Sequence, residues 1–288
     1  MGAESGVARR LSACMLLASA AMLGGCGVVG DLLDLQKPTA RVTGVSLRDV
    51  RLDAATLLFD VEVSNPYSVA LPLVNVDYAL ASKGASFLSG KADVQGTIPA
   101  RSSRTVSLPA RVTYRELLSS LQGVRPGAVV PYTAEMGLSV DAPAVGALRL
   151  PVQKSGELPV PAAPDVTVSE IRWDAVTLDR AGGTVRLAVV NRNEFPLKLS
   201  KLTYALSLGK TQVASTSLAK AANFAASGGA GELELPLSFS PKDAGLAVFR
   251  MLTGAGSDYG LTGTMDVDTP FGEMALPLDK VGKTLFRK

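Results

Sequence analysis

Apolar and polar residues alternate along most of this chain. In "TLLFDVEVSN", residues 56–65, Leu57, Phe59, Val61 and Val63 fall on one face of an extended segment. "TVRLAVVN", residues 184–191, repeats the arrangement with Val185, Leu187 and Val189. Asn-Pro, Gly-Gly, Lys-Gly and Asp-Thr-Pro turns interrupt such runs at short spacing. The pattern predicts strands folded back on one another as antiparallel β-sandwiches. Helix signals break it in two places. "TYRELLSSLQG" carries Thr113 and Glu116 at capping-box spacing. "SPKDAGLAVFRMLTG" offers Ser240 as N-cap, Pro241 at the first helical position, Asp243 in the first turn and Gly254 as a stop. The fold class expected is all-β with one short helix per domain.

The pattern occurs twice. "RLDAATL" at 51–57 returns as "RWDAVTL" at 172–178, with Trp173 in the place of Leu52. Residues 59–80 align with 185–206, so that Asn65 meets Asn191 and "YAL" meets "YAL". Leu108-Pro109 then meets Leu235-Pro236, and 140–152 meets 267–278. On this alignment the second copy inserts five residues around "DRAGG", at a hairpin tip, and the repeated phrase marks the end of each copy's first strand. The expected domains are 41–153 and 165–283, joined by a Pro-rich linker at 154–164, with a tail at 284–288.

In order, these features resemble the type-2 late-embryogenesis-abundant family, which includes the WHy domain of water stress and hypersensitive response. The resemblance rests on "VSNPYSVALPLVNVDYAL" followed by "GTIPARSSRTVSLP", and is good over 44–153. It is weaker over 166–280, where Asn191-Arg192-Asn193 replaces the Asn65-Pro66 turn. It implies a seven-stranded, fibronectin/immunoglobulin-like sandwich in each copy. It also implies an association with desiccation and envelope stress, and no enzymatic activity or cofactor. Asn65 and Pro66 are the best family-matched residues. Their expected role is structural, since Asn satisfies local backbone groups and Pro fixes φ where a strand ends.

The N-terminus reads as a lipoprotein signal peptide over 1–25. Arg9 and Arg10 precede an apolar stretch over 11–23, and Leu23, Gly24 and Gly25 lead into Cys26 in the manner of a bacterial lipobox. Cys26 is then the lipidation site, acylated and made the first residue of the mature chain, and 26–40 is its tether. Gly27 in place of Asp favours the outer membrane, with the protein facing the periplasm. The partner implied is the membrane, through this N-terminal lipid anchor.

Composition narrows the chemistry. The chain has 288 residues, no histidine, two cysteines and a net charge of +3. The commonest general base and metal ligand is thus missing. No basic, aromatic-laced patch marks a nucleic-acid binder. "SLAK", Ser217 to Lys220, fits a serine-acylase signature without its companion motifs, and "VGKT", 281–284, lacks the first glycine of a P-loop. Asp266, Asp268 and Glu273 carry oxygen ligands of the kind calcium takes, though only Asp141 has a place in the first copy. Trp173, the one tryptophan, reads as a packing residue. No catalytic residue, metal site or cofactor is assigned. The expected function is non-enzymatic stress protection, or binding of client or envelope proteins. The alternative is a carrier or assembly factor for lipid or outer-membrane proteins.

Overall fold

The computed structural model describes residues 37–142, 146–219, 221–253 and 256–284. The described residues from Pro38 onward form one compact unit, which holds every element below.

The alternating segments are strands. The first copy runs β1 (Thr39–Arg48), β2 (Ala54–Asn65), β3 (Leu71–Ser82), β4 (Ala85–Asp93), β5 (Thr97–Ile98) and β6 (Ser102–Thr113). Helix α1 (Tyr114–Ser120), β7 (Val129–Ala142) and β8 (Gly146–Pro159) complete it. The second copy runs β9 (Asp165–Val176), β10 (Ala181–Val190), β11 (Leu197–Leu208), β12 (Thr211–Leu218), β13 (Ala222–Phe224) and β14 (Ala230–Phe239). Helices α2 (Pro241–Ala244) and α3 (Leu246–Thr253) follow, then β15 (Ser257–Thr269) and β16 (Gly272–Thr284). Each copy is a three-stranded sheet facing a five-stranded one. The orders are β1-β2-β6 against β4-β3-β7-β8, and β9-β10-β14 against β12-β11-β15-β16, with β5 and β13 paired to β3 and β11. All pairings are antiparallel. The tandem sandwiches expected from the pattern are present. Leu57, Phe59, Val61 and Val63 are all buried. Phe59 meets Tyr132 of the facing sheet edge to face, with ring centroids 6.4 Å apart.

Four sequence expectations change. First, the copies align at one spacing of 126 residues through the opening strands, because Val45 pairs with Phe59 as Ile171 pairs with Val185. The repeated phrase is therefore not a repeated piece of scaffold. Arg51, Leu52 and Asp53 lie in the turn before β2, whereas Arg172, Trp173 and Asp174 lie inside β9. No hairpin tip is inserted at "DRAGG", since Ala181, Gly182 and Gly183 already belong to β10. The counterpart of Trp173 is thus Leu47. Leu47 pairs with Leu57, and Trp173 pairs with Gly183, so a large and a small residue replace two of middle size. The indole packs edge to face on Phe239 at 6.1 Å.

Second, neither capping side chain caps. Thr113 and Ser240 keep extended backbones (φ −90° and −99°) and make no side-chain cap hydrogen bond. Thr113 closes the β6 ladder opposite Ala54, so its backbone belongs to the sheet before the helix begins. Third, the second copy's helix is two helices. Gly245 takes φ 100° between them, a left-handed value that ends the first turn. Gly254 lies outside the described residues. Fourth, β8 continues to Pro159, so the first part of the Pro-rich segment is strand. Leu158, Pro159, Val160, Pro161 and Pro164 are buried.

Leu-Pro recurs in β6 and β14, each of which has one free edge in its sheet. Pro109 and Pro236 have no N–H to offer there, which blunts edges that would otherwise present an unpaired ladder.

Candidate functional site

Three features outside the apolar core draw polar groups together: a buried asparagine in each sandwich, a joint between the sandwiches, and a cavity in the first. Cys26, with Leu23, Gly24 and Gly25, lies outside the described residues.

Asn65 ends β2 and is 1% exposed. Its Nδ2 donates to the carbonyls of Val69 (2.8 Å), Pro99 (3.0 Å) and Ile98 (3.3 Å), and its Oδ1 accepts from the Tyr67 amide at 3.0 Å. One side chain therefore holds the turn into β3 against the chain leaving β5. Asn191 repeats the set on Phe195 (2.8 Å), Ala225 (3.0 Å), Phe224 (3.3 Å) and the Asn193 amide (2.9 Å). Each clasp also steadies a strained neighbour. Arg101 and Ser227 occupy matching places with φ 49° and 57°, and their amides donate to Tyr67 and Asn193 carbonyls. Asn65 thus holds this turn through its side-chain hydrogen bonds. At the place of Pro66 the second copy has Arg192, which pairs with Asp165, Nε donating at 2.6 Å.

The joint was not foreseen. Asn193 is 1% exposed and binds the backbone of Ala162 twice, accepting from its amide (2.8 Å) and donating to its carbonyl (3.0 Å). Gly127 donates to the Val160 carbonyl (2.6 Å) and accepts from the Glu194 amide (2.7 Å). The Glu194 carboxylate accepts from the Val129 amide at 3.0 Å and pairs with Arg125 at 3.3 Å. The turn after β10 thus grips both the linker and the loop after α1. The "NRN" spelling was the only sign of it in the sequence.

A cavity of 320 Å³ opens in the first sandwich between edge strands β4 and β6. Phe59, Val76, Leu108 and Met136 wall it, and Asp93 and Gln95 stand among its lining. The second sandwich is closed at this edge, with β12 and β13 packed on β14, while no comparable packing joins β4 to β6.

The remaining candidates separate. Asp268 sits opposite Glu273 across the β15–β16 hairpin, but Lys198 and Lys201 of β11 lie opposite Asp268 and Asp266 and offset their charge. Among the described residues no three His, Cys, Asp or Glu side chains converge to hold a metal. Ser217 lies in β12, and Lys220 lies outside the described residues. The "VGKT" residues are strand, without the loop and helix a phosphate site needs.

Tyr204 joins the two sheets of the second sandwich, its hydroxyl donating to the Pro236 carbonyl at 2.6 Å. Burial pushes its phenol up to about 12, and burial and then the nearby Asp53 charge raise Tyr114 as well. The unfolded phenols ionise near pH 10, so stability is complete below that value and falls as pH rises towards the folded value. Thermal melts from pH 8 to 11 are expected to show a loss beginning near pH 10. Tyr204→Phe should reduce the alkaline slope while lowering stability at pH 8 by about 1 kcal/mol, the net worth of the lost hydrogen bond.

Comparison with known proteins matches this duplicated architecture. The family model described as "Late embryogenesis abundant protein" fits twice, over residues 60–156 and 186–282, again 126 residues apart. The chain belongs to this family, with two tandem domains. It is 30% identical over 139 residues to late embryogenesis abundant protein Lea14-A of Gossypium hirsutum, covering 48% of this chain and 92% of that one. A desiccation protectant protein Lea14 homolog of Glycine max is also 30% identical over 139 residues, covering 48% of this chain and 91% of its own. The solution structure of an Arabidopsis thaliana protein, 31% identical, covers 44% of this chain and 83% of that one with a TM-score of 0.37.

Proposed function

We propose that this chain is a lipid-anchored bacterial envelope protein whose two sandwiches protect other macromolecules against water loss and related stress, without catalysing a reaction. The observation that carries the reading is the double family match, in a chain whose relatives include proteins named for desiccation. The anchor rests on Cys26 and the Leu23-Gly24-Gly25 that precedes it. Gly27 favours the outer membrane, and the sandwiches then face the periplasm with envelope or client proteins as partners. A second reading, a lipid carrier, gains support from the cavity between β4 and β6.

Two measurements test the proposal. Fragment 38–288 is expected to preserve the activity of a drying-sensitive enzyme such as lactate dehydrogenase; no protection at tenfold molar excess would sink the protective role. In cells, the intact chain is expected to take up an acyl probe and sediment with membranes. Cys26→Ala should lose both, and retained labelling would overturn the anchor.

A further inference from the structure

The two sandwiches use the same tyrosine differently. Tyr204 is 1% exposed, and its ring fills the space between β11 and β14 on the way to the Pro236 carbonyl. Its counterpart Tyr78 is only half-buried. The Tyr78 phenol lies instead over Gly90 of β4, directly across the ladder: a Cβ on Gly90 would stand 2.6 Å from its hydroxyl oxygen and 2.7 Å from Cζ. Only glycine leaves that place free for a ring. The residue across from Tyr204 is Thr216, whose branched Cβ denies it. Because Tyr78 lies along its own sheet, the space that Tyr204 fills is left as the 320 Å³ cavity, with Pro109, the counterpart of Pro236, in its lining.

We propose that the first sandwich binds one unbranched aliphatic chain in this cavity, with Tyr78 as its gate. The volume lies at the low end of the roughly 300–1,000 Å³ typical of small-molecule sites, which suits one slim chain and not a two-chain lipid. Phe59, Val76, Leu108 and Met136 give the cavity apolar walls for the chain, while its polar side chains are Tyr78, Asp93, Gln95 and Ser107. Asp93 is the one charged side chain in that lining, and we assign the head group to its side of the cavity. It repels a carboxylate and accepts a hydroxyl, so the ligand class is a neutral single-chain amphiphile such as a monoacylglycerol. A Tyr78 ring turned inward to the Pro109 carbonyl, as Tyr204 is to Pro236, would occupy the same volume. Ligand and closed gate therefore exclude each other. The inference rests on the geometry of the first sandwich and stands apart from the protective role.

The test uses fragment 38–288 and the neutral fluorophore N-phenyl-1-naphthylamine, which brightens in apolar sites. Saturable binding at one site per chain is expected, with displacement by monolaurin and not by laurate at pH 8. Gly90→Thr, which installs the residue of the second sandwich, should weaken monolaurin binding at least tenfold with far-UV circular dichroism unchanged. Ala92→Leu fills the cavity from the β4 side and should cause the same loss, which keeps the test decisive should Gly90→Thr fold poorly. Unsaturable fluorescence, equal displacement by laurate, or full monolaurin affinity in a folded variant of either kind would overturn the proposal.

Discussion

Asn65→Asp is expected to unfold the first sandwich at neutral pH more severely than Asn65→Ala. Alanine leaves the Val69, Ile98 and Pro99 carbonyls and the Tyr67 amide without their partner in a buried place. At about 1–3 kcal/mol for a buried group left unsatisfied, with some partners regaining water, the loss should reach about 3 kcal/mol. Aspartate keeps the shape and the acceptor for Tyr67. It also turns an oxygen, charged at neutral pH, towards three carbonyl oxygens. The folded carboxyl must then stay protonated, so its folded pKa lies above the unfolded value of about 3.9. A raised acid contributes its stability below the unfolded value and loses it as pH rises. Asn65→Asp should therefore approach alanine near pH 4 and fall below it by pH 7, and Asn191→Asp should do the same for the second sandwich. Urea unfolding at both pH values decides this. An aspartate variant as stable at pH 7 as at pH 4 would show that the clasp is not closed as described.

Gly127→Val should open the joint between the sandwiches while leaving each of them folded. Gly127 has φ 94°, which a β-branched residue resists, and a Cβ there would stand 2.5 Å from the backbone oxygen of Arg192. Left-handed strain of about 1–2 kcal/mol and two lost hydrogen bonds of about 1 kcal/mol each put the cost near 3 kcal/mol. Limited proteolysis should cut within residues 160–164 at least tenfold faster. Gly123→Val is the control, because Gly123 shares a left-handed φ of 76° but meets no atom within 4 Å. Equal proteolysis of the two variants would mean that backbone strain alone, and not the contact with Arg192, accounts for the effect.

The strands were legible because burial on one face imposes a period of two, as Leu57 to Val63 show. Asn65 and Asn191 were legible as a pair for the same reason: one ends β2 and the other directly follows β10, at equal distances from Leu71 and Leu197. Their partners were not, since the carbonyls of Pro99 and Ala225 lie 34 residues further along the chain. The identical letters of "RLDAATL" and "RWDAVTL" misled the alignment. Ladder register follows inward-facing volume, and Leu47 with Leu57 occupies the place of Trp173 with Gly183 although no letter agrees. The capping box failed on a related ground, for Thr113 answers to its strand before its helix. The cavity escaped notice because it depends on where one tyrosine ring lies, and that is decided by a glycine on the neighbouring strand.

The prolines on β6 and β14 bear on the desiccation for which some relatives of this chain are named. As a cell dries, its proteins are driven together at rising concentration, and bare sheet edges then join into fibres. A protectant built mostly of strands meets that hazard directly. With no N–H at Pro109 and Pro236, each of those margins lacks one ladder donor, which weakens pairing of one copy of this chain with another there.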